Sequence, residues 1–135
     1  MLNDDDLKRY ARQVIIPNFE EDGQENLLDT RCLIVGAGGL GCPVALYASA
    51  AGFGYIEIYD EDIIEISNLN RQIAHKNDHI GNNKAQNLVQ ECLKINPNIS
   101  IISKNNVFDE TIDINKFDLI FDCSDNPKTK YILNH

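Results

Sequence analysis

The chain has 135 residues, 43% hydrophobic and 24% charged, without a Pro-, Ser- or Gly-rich tract, a composition that suits one globular core and argues against disorder or a linker. Twelve Lys and Arg stand against 21 Asp and Glu, a net charge of -9, and no basic stretch gathers the positive charge, so nucleic acid is not an expected partner. The acidic start and the shortness of every apolar run predict neither a secretory signal nor a membrane span, hence a cytoplasmic protein.

In chain order, Leu7, Tyr10, Ala11, Val14 and Ile15 recur at helical spacing, which predicts one amphipathic helix from Asp4 to near Pro17, with Tyr10 in its packing face. A short helix over Gln24 to Asp29 precedes the apolar run Cys32 to Val35, read as a strand buried on both faces. Gly36-Ala37-Gly38-Gly39-Leu40-Gly41 follows directly, and Val44 to Ala51 reads as a buried helix stopped by Gly52. Tyr55 to Tyr59 is a second strand ending at Asp60-Glu61-Asp62. After a long polar connection, Lys84 to Asn96 places Ala85, Leu88, Val89, Cys92 and Leu93 on one stripe. Ile99 to Ile102 and Leu119 to Asp122 supply two more strands, with a helical turn expected around Asp109 to Ile114.

Strands alternating with helices predict a Rossmann-like, doubly wound, mainly parallel sheet. The whole of 1–135 is read as one domain, a helical arm over 1–30 and an α/β core over 31–135. Leu119 to Asp122 has the composition of an interior strand, yet Ser124 to His135 is too little for further crossovers, so a truncated domain with an open apolar edge is expected.

Gly36, Gly38 and Gly41 have the G-x-G-x-x-G spacing between a predicted strand and helix, where backbone N–H groups can face a phosphate. Asp60 lies where a carboxylate accepts hydrogen bonds from ribose hydroxyls. Both features suit NAD as well as ATP. Ser67-Asn68-Leu69-Asn70-Arg71-Gln72 and Gly81-Asn82-Asn83-Lys84-Ala85 bring two cations and an amide toward the same end of the sheet, which a hydride-transfer site does not need. Cys32, Cys42, Cys92 and Cys123 stand singly, a pattern of buried thiols with no zinc site expected. His75, His79 and His135 show no metal-ligand pattern and carry no expected role.

Four segments, Arg9-Tyr10-Ala11-Arg12-Gln13, Gly36 to Gly41, Asp60 through Arg71-Gln72, and Asp122-Cys123-Ser124-Asp125-Asn126, make the chain from Arg9 to Asn126 resemble the ThiF/MoeB/HesA family, relatives of ubiquitin-activating enzymes. The resemblance implies an adenylyltransferase that uses ATP and Mg2+ to activate the C-terminal Gly-Gly carboxylate of a ubiquitin-like sulfur-carrier protein. It implies that Gly36, Gly38, Gly39 and Gly41 form the phosphate turn and that Asp60 holds the ribose. Asn68, Arg71, Gln72 and Lys84 would meet the triphosphate and Asp125 the metal, with Asp122 the competing carboxylate. It further implies a homodimer in which Arg12, helped by Arg9, reaches the partner's site in trans.

Family members are longer, and their second half carries the carrier surface, often a zinc site and sometimes a catalytic cysteine. Cys123 is read as a strand-end thiol rather than a substitute for the last. Two other classes stay open: a dimerising interaction module without turnover, and an NAD-dependent oxidoreductase.

Overall fold

The computed structural model describes residues 1–134; His135 lies outside them. Helices α1 (Asp4–Arg9), α2 (Ala11–Val14) and α3 (Glu20–Asp29) precede β1 (Arg31–Val35), α4 (Gly41–Ala51), β2 (Tyr55–Tyr59), α5 (Lys84–Ile95), β3 (Ser100–Lys104), β4 (Leu119–Asp122) and α6 (Pro127–Leu133). The strands form one parallel sheet in the order β3-β2-β1-β4. This is a Rossmann-like α/β fold. The chain steps from β1 outward to β2 and β3, then returns past β1 to lay down β4. The order therefore reverses between β1 and β4, the place where open α/β sheets leave a crevice beyond their carboxyl ends.

One face of the sheet carries the larger core. Cys32 and Ile34 of β1 and Ile56 and Ile58 of β2 are buried against Cys42, Ala45 and Ala48 of α4 and Leu88 and Cys92 of α5. The α5 stripe is buried as its spacing predicts. α4 is apolar almost all round, so Leu40 before it and Tyr47 within it remain exposed. Among the described residues the other face has no long helix. Leu33, Val35 and Tyr59 are covered there by Phe108 and Phe117 of the irregular segment 105–118, with Ile132 and Leu133 of α6 packed alongside. Glu57 points into this second layer, fully buried.

Three local expectations change. The opening helix divides at Tyr10, whose backbone leaves helical geometry (φ -104, ψ 16); its side chain turns inward, 1% exposed, and its hydroxyl accepts from Asn96 Nδ2 at 2.8 Å. α3 begins at Glu20, earlier than expected, with Glu20, Glu21 and Asp22 in the first turn where the helix dipole favours them. The 105–118 segment has the expected turn only over Asp109–Ile112, closed by the Ile112 N–H on the Asp109 carbonyl at 3.2 Å, and adds a 3-10 turn at Ile114–Lys116.

The tail forms α6, started by Pro127 at its first position and by Asn126, whose side chain accepts from the Lys128 N–H. β4 lies at the sheet edge, half-buried. Among the described residues no helix is long and apolar enough to cross a membrane.

The arm is fastened to the ends of α4 and α5. Gln13 Nε2 donates to Gln24 Oε1 at 2.6 Å and to the Ala51 carbonyl at 2.9 Å, and Gln24 Nε2 reaches the same carbonyl at 3.0 Å. Arg9 Nη1 donates to the Ile95 carbonyl at 3.1 Å. Arg9, Tyr10 and Gln13 are thus anchoring residues of their own chain, while Arg12 is left exposed without an ion pair among the described residues.

Candidate nucleotide site

A cleft of about 540 Å³ opens at the carboxyl ends of the strands, across the β1/β4 reversal. Gly36, Gly38 and Gly39 form one wall, Asp60 a second, Arg71, Gln72 and Lys84 a third, and Asp125 and Asn126 a fourth. Five separate stretches of sequence meet here; all but Arg71-Gln72, which comes from the long β2–α5 connection, lie directly after a strand or at the start of a helix.

The glycine turn is shaped by contact as much as by flexibility. Gly36 has φ 105, and a Cβ there would lie 2.6 Å from the Cys123 carbonyl oxygen. The turn after β1 and the turn after β4 therefore touch. At Gly41 a Cβ would fall 1.8 Å from the Gly36 carbonyl oxygen, and the residue is buried. Gly41 lets α4 start hard against β1 and does not line the cleft, which corrects its expected place as a ligand contact. The backbone N–H groups of Gly38, Gly39, Leu40 and Gly41 meet no protein acceptor among the described residues. These are the orphan donors of a helix start, and Gly38 and Gly39 carry theirs on the cleft wall.

Asp60 is held by both oxygens. Oδ2 accepts from the Ala37 N–H at 2.8 Å and Oδ1 from the Asp62 N–H at 2.9 Å, and each oxygen keeps a second lone pair for a ligand donor. Lys84 is 8% exposed, has its ammonium within ion-pair distance of no carboxylate among the described residues, and lines the cleft. It also begins α5, where the helix dipole disfavours a cation. A buried-stem lysine in no ion pair among the described residues is placed to meet an anion in the cleft.

Arg71 lies alongside Gly39, with Nη1 donating to the Ser67 carbonyl and to Asn70 Oδ1, both at 3.0 Å. Gln72 packs against Gly38 and is 4% exposed, with Oε1 unpartnered among the described residues. Asn68 is not brought to the cleft. Its Oδ1 accepts from the Glu65 N–H at 2.8 Å and closes the 3-10 turn Ile66–Asn68, which leaves the two Nδ2 hydrogens without an acceptor among the described residues. Arg12 is also absent from the cleft lining of its own chain.

The two candidate metal carboxylates separate clearly. Asp122 accepts from the Ser124 N–H at 3.1 Å and hydroxyl at 2.7 Å and pairs with Lys130 at 3.3 Å. Although burial opposes it, these partners hold its carboxyl below the usual range. Asp125 lines the cleft, is exposed, and has no partner among the described residues. Among those residues no group of three or more His, Cys, Asp or Glu could hold a metal ion. One free carboxylate facing a phosphate site fits Mg2+, which is commonly held by one or two carboxylates plus substrate phosphates and water.

Several lining residues escaped the sequence reading. Asn106, Val107 and Phe108 arrive on the segment after β3; Phe108 stacks edge-on against Tyr59 at 5.3 Å. The polar Asn105-Asn106 pair directly after a strand was the available signal. His75 does not line the cleft but is buried just behind the glycine turn, 3% exposed.

The ThiF family model matches residues 10–135. The chain belongs to the ThiF family. It is 42% identical over 96% of its length to the adenylyltransferase and sulfurtransferase UBA4 of Debaryomyces hansenii and 43% identical over 96% to the adenylyltransferase and sulfurtransferase MOCS3 of Caenorhabditis briggsae. It spans only 30% and 33% of those relatives' own lengths. Among solved structures it is similar to E. coli MccB bound to ATP, with TM-score 0.70 and 34% identity, covering 77% of this chain and 32% of that one. E. coli TcdA in complex with ATP has TM-score 0.88 at 23% identity, covering 98% of this chain and 56% of that one, and shows the shared fold.

Proposed function

We propose that this ThiF-family chain binds ATP in the β1/β4 cleft and adenylates the C-terminal Gly-Gly carboxylate of a ubiquitin-like sulfur-carrier protein. The observation that carries the reading is Lys84, a buried cation in no ion pair among the described residues, facing the same cleft as the glycine-turn N–H groups that meet no acceptor there. UBA4 and MOCS3 are named as adenylyltransferases and MccB has been solved with ATP, which supports the nucleotide and the reaction class.

On this reading the ribose hydroxyls donate to the free lone pairs of Asp60, and the phosphates lie on the N–H groups of Gly38 and Gly39 between Arg71 and Lys84. A carboxylate oxygen of the carrier forms a bond to the α-phosphorus, the bond from that phosphorus to the β-phosphate bridging oxygen breaks, and pyrophosphate leaves with the electron pair. No side-chain nucleophile is needed. Arg71 and Lys84 lower the repulsion between two anions and stabilise charge on the leaving group. Asp125 is the residue that would hold Mg2+, which supplies further neutralisation of the phosphates when bound. Alignment of the two reactants supplies the rest.

The reading extends to a homodimer in which Arg12 of one protomer completes the site of the other. Two features support it: Arg12 is presented on an arm pinned by Arg9, Tyr10 and Gln13, and α4 keeps apolar side chains on its outer surface.

Thermal unfolding with and without Mg-ATP, with NAD as the comparison, tests the nucleotide assignment, because a ligand of the native state alone raises its melting temperature. An upward shift with Mg-ATP is expected, and Lys84→Met should abolish it. A shift with NAD alone would overturn the reading in favour of hydride transfer. Dimerisation with no response to either nucleotide would overturn it in favour of a non-catalytic module.

A further inference from the structure

His75 has no place in the reaction as described, yet three walls of the cleft meet at its ring. Its Nε2 lies 2.7 Å from the Ala37 carbonyl in the middle of the glycine turn. Its Nδ1 lies 2.9 Å from Asn87 Nδ2 on α5, one turn beyond Lys84. The residue itself follows Arg71 and Gln72 on the connection between β2 and α5.

The proton position follows from the partners. Asn87 Nδ2 also reaches the Ala74 carbonyl at 3.2 Å, which can only accept, so that atom is the amide nitrogen and donates to Nδ1 as well. Nδ1 is then the acceptor and Nε2 carries the hydrogen it donates to the Ala37 carbonyl. The other end of Ala37 is fixed too, since its N–H donates to Asp60 Oδ2 at 2.8 Å. The Cys42 thiol lies 3.5 Å from the Ala37 carbonyl and 3.6 Å from His75 Nε2. Ala37 is fully buried and meets no ligand itself. The peptide units that follow it are those whose N–H groups stand unpaired on the cleft wall.

We propose that neutral His75 is a positioning residue for nucleotide binding: as the Nε2–H tautomer it locks the Ala37 peptide to α5, and so aims the N–H groups of Gly38 and Gly39 in register with Lys84. The proposal rests on the nucleotide reading of the cleft. A second proton, on Nδ1, would face the Asn87 amide N–H and break the link. Turning the Asn87 amide to accept it would forfeit the bond to Ala74. The charged and titratable groups around the ring are Lys84 on α5, Asp60 at the end of β2, Cys42 on α4 and His79 in the following 3-10 turn. Burial dominates and lowers the imidazole from its ordinary 6.5, while burial raises the Cys42 thiol to about 11, so the thiol stays neutral wherever His75 titrates. Because the folded state favours neutral His75, the stability this contributes is complete above pH 6.5 and is lost as pH falls from there to the lowered value, while the lock in the folded protein opens only as pH falls through that lowered value.

Calorimetric titration of Mg-ATP into the wild type, His75→Ala and His75→Gln, at about pH 7.5 and in steps downward to the acid limit of the folded state, tests this as the lowered imidazole takes on charge. Gln is the conservative variant, since its amide can donate to the Ala37 carbonyl and accept from Asn87, yet does not titrate. At the higher pH, His75→Ala should bind about tenfold more weakly, the equivalent of one lost hydrogen bond, and His75→Gln should recover most of the affinity. Toward the acid limit the wild type should lose affinity beyond the loss shown by His75→Gln, whose profile carries the nucleotide's own titration. Identical pH profiles for the wild type and His75→Gln would overturn the proposal, as would wild-type affinity in His75→Ala. The first comparison holds even if the Ala variant fails to fold. Absence of Mg-ATP binding by the wild type would instead overturn the nucleotide reading, and this inference with it.

Discussion

The two faces of the sheet reach burial by different means. On the α4/α5 face the interior is small-grained, made mostly of Cys, Ala, Ile and Leu, with the buried Asn87 and Asn96 amides hydrogen-bonded at its margins. On the other face the cover is the irregular segment 105–118, and beneath it Glu57 accepts from Tyr55 Oη at 2.9 Å and Tyr59 Oη at 3.1 Å, with Lys116 at 3.6 Å. The first layer depends on shape and the second on satisfied polar groups, so they should fail differently. The nucleotide cleft draws on both, since the glycine turn belongs to the first and Tyr59 and Phe108 to the second.

The largest effect is expected from breaking the close approach. Gly41→Ala places a methyl 1.8 Å from the Gly36 carbonyl oxygen, a backbone atom that cannot move without shifting the turn. The cost should meet or exceed the ~1–3 kcal/mol usual for overpacking, read as a fall in the urea midpoint with loss of nucleotide binding. A stable variant with normal binding would show that α4 can slide away from β1.

A smaller loss, ~1–2 kcal/mol, is expected from Glu57→Gln, which keeps the volume but weakens three charge-assisted contacts. Its signature is in alkali. Burial, then the bond to Glu57, pushes the Tyr59 hydroxyl from 10.0 up to about 12. The folded state therefore favours the neutral phenol, and this stability is present below pH 10.0 and lost as pH rises through about 12. Denaturation curves across that interval should be steeper for the wild type than for Glu57→Gln, and coincident curves would remove the buried carboxylate from the account.

The smallest stability effects belong where the faces meet, at the end of β4. Asp122→Asn should cost ~1 kcal/mol through its Ser124 and Lys130 partners, whereas Asp125→Asn should lie within ~0.5 kcal/mol of the wild type, as exposed substitutions usually do. Magnesium dependence of ATP binding should show the reverse pattern. A variant at Asp122 that lost the magnesium response while Asp125→Asn kept it would exchange the two roles.

Much of this layout was legible before any coordinates. Strands of unbroken apolar residues, the glycine turn after the first of them and the α5 stripe follow from local chemistry, and each appears within a residue or two of its expected place. The arm was legible in composition but not in shape. Helical periodicity runs straight through Tyr10, and only the buried Asn96 amide 86 residues away makes a break there favourable. Likewise, the N-cap of α6 falls on Asn126 rather than Asp125, one position that decides whether a carboxylate is consumed or left open.

The sequence by itself determined the fold class, the order of the elements and the family, because periodicity, glycine spacing and apolar runs act over short stretches of chain. Tertiary structure decided which polar groups remain unspent. Asp122 is used by Ser124 and Lys130, while Lys84 and Asp125 are left facing the cleft. His75, unremarkable in the sequence, becomes the point where three segments join. The reason is physical: a side chain's chemistry is set by its residue type, but its availability depends on partners that only folding brings within hydrogen-bonding distance.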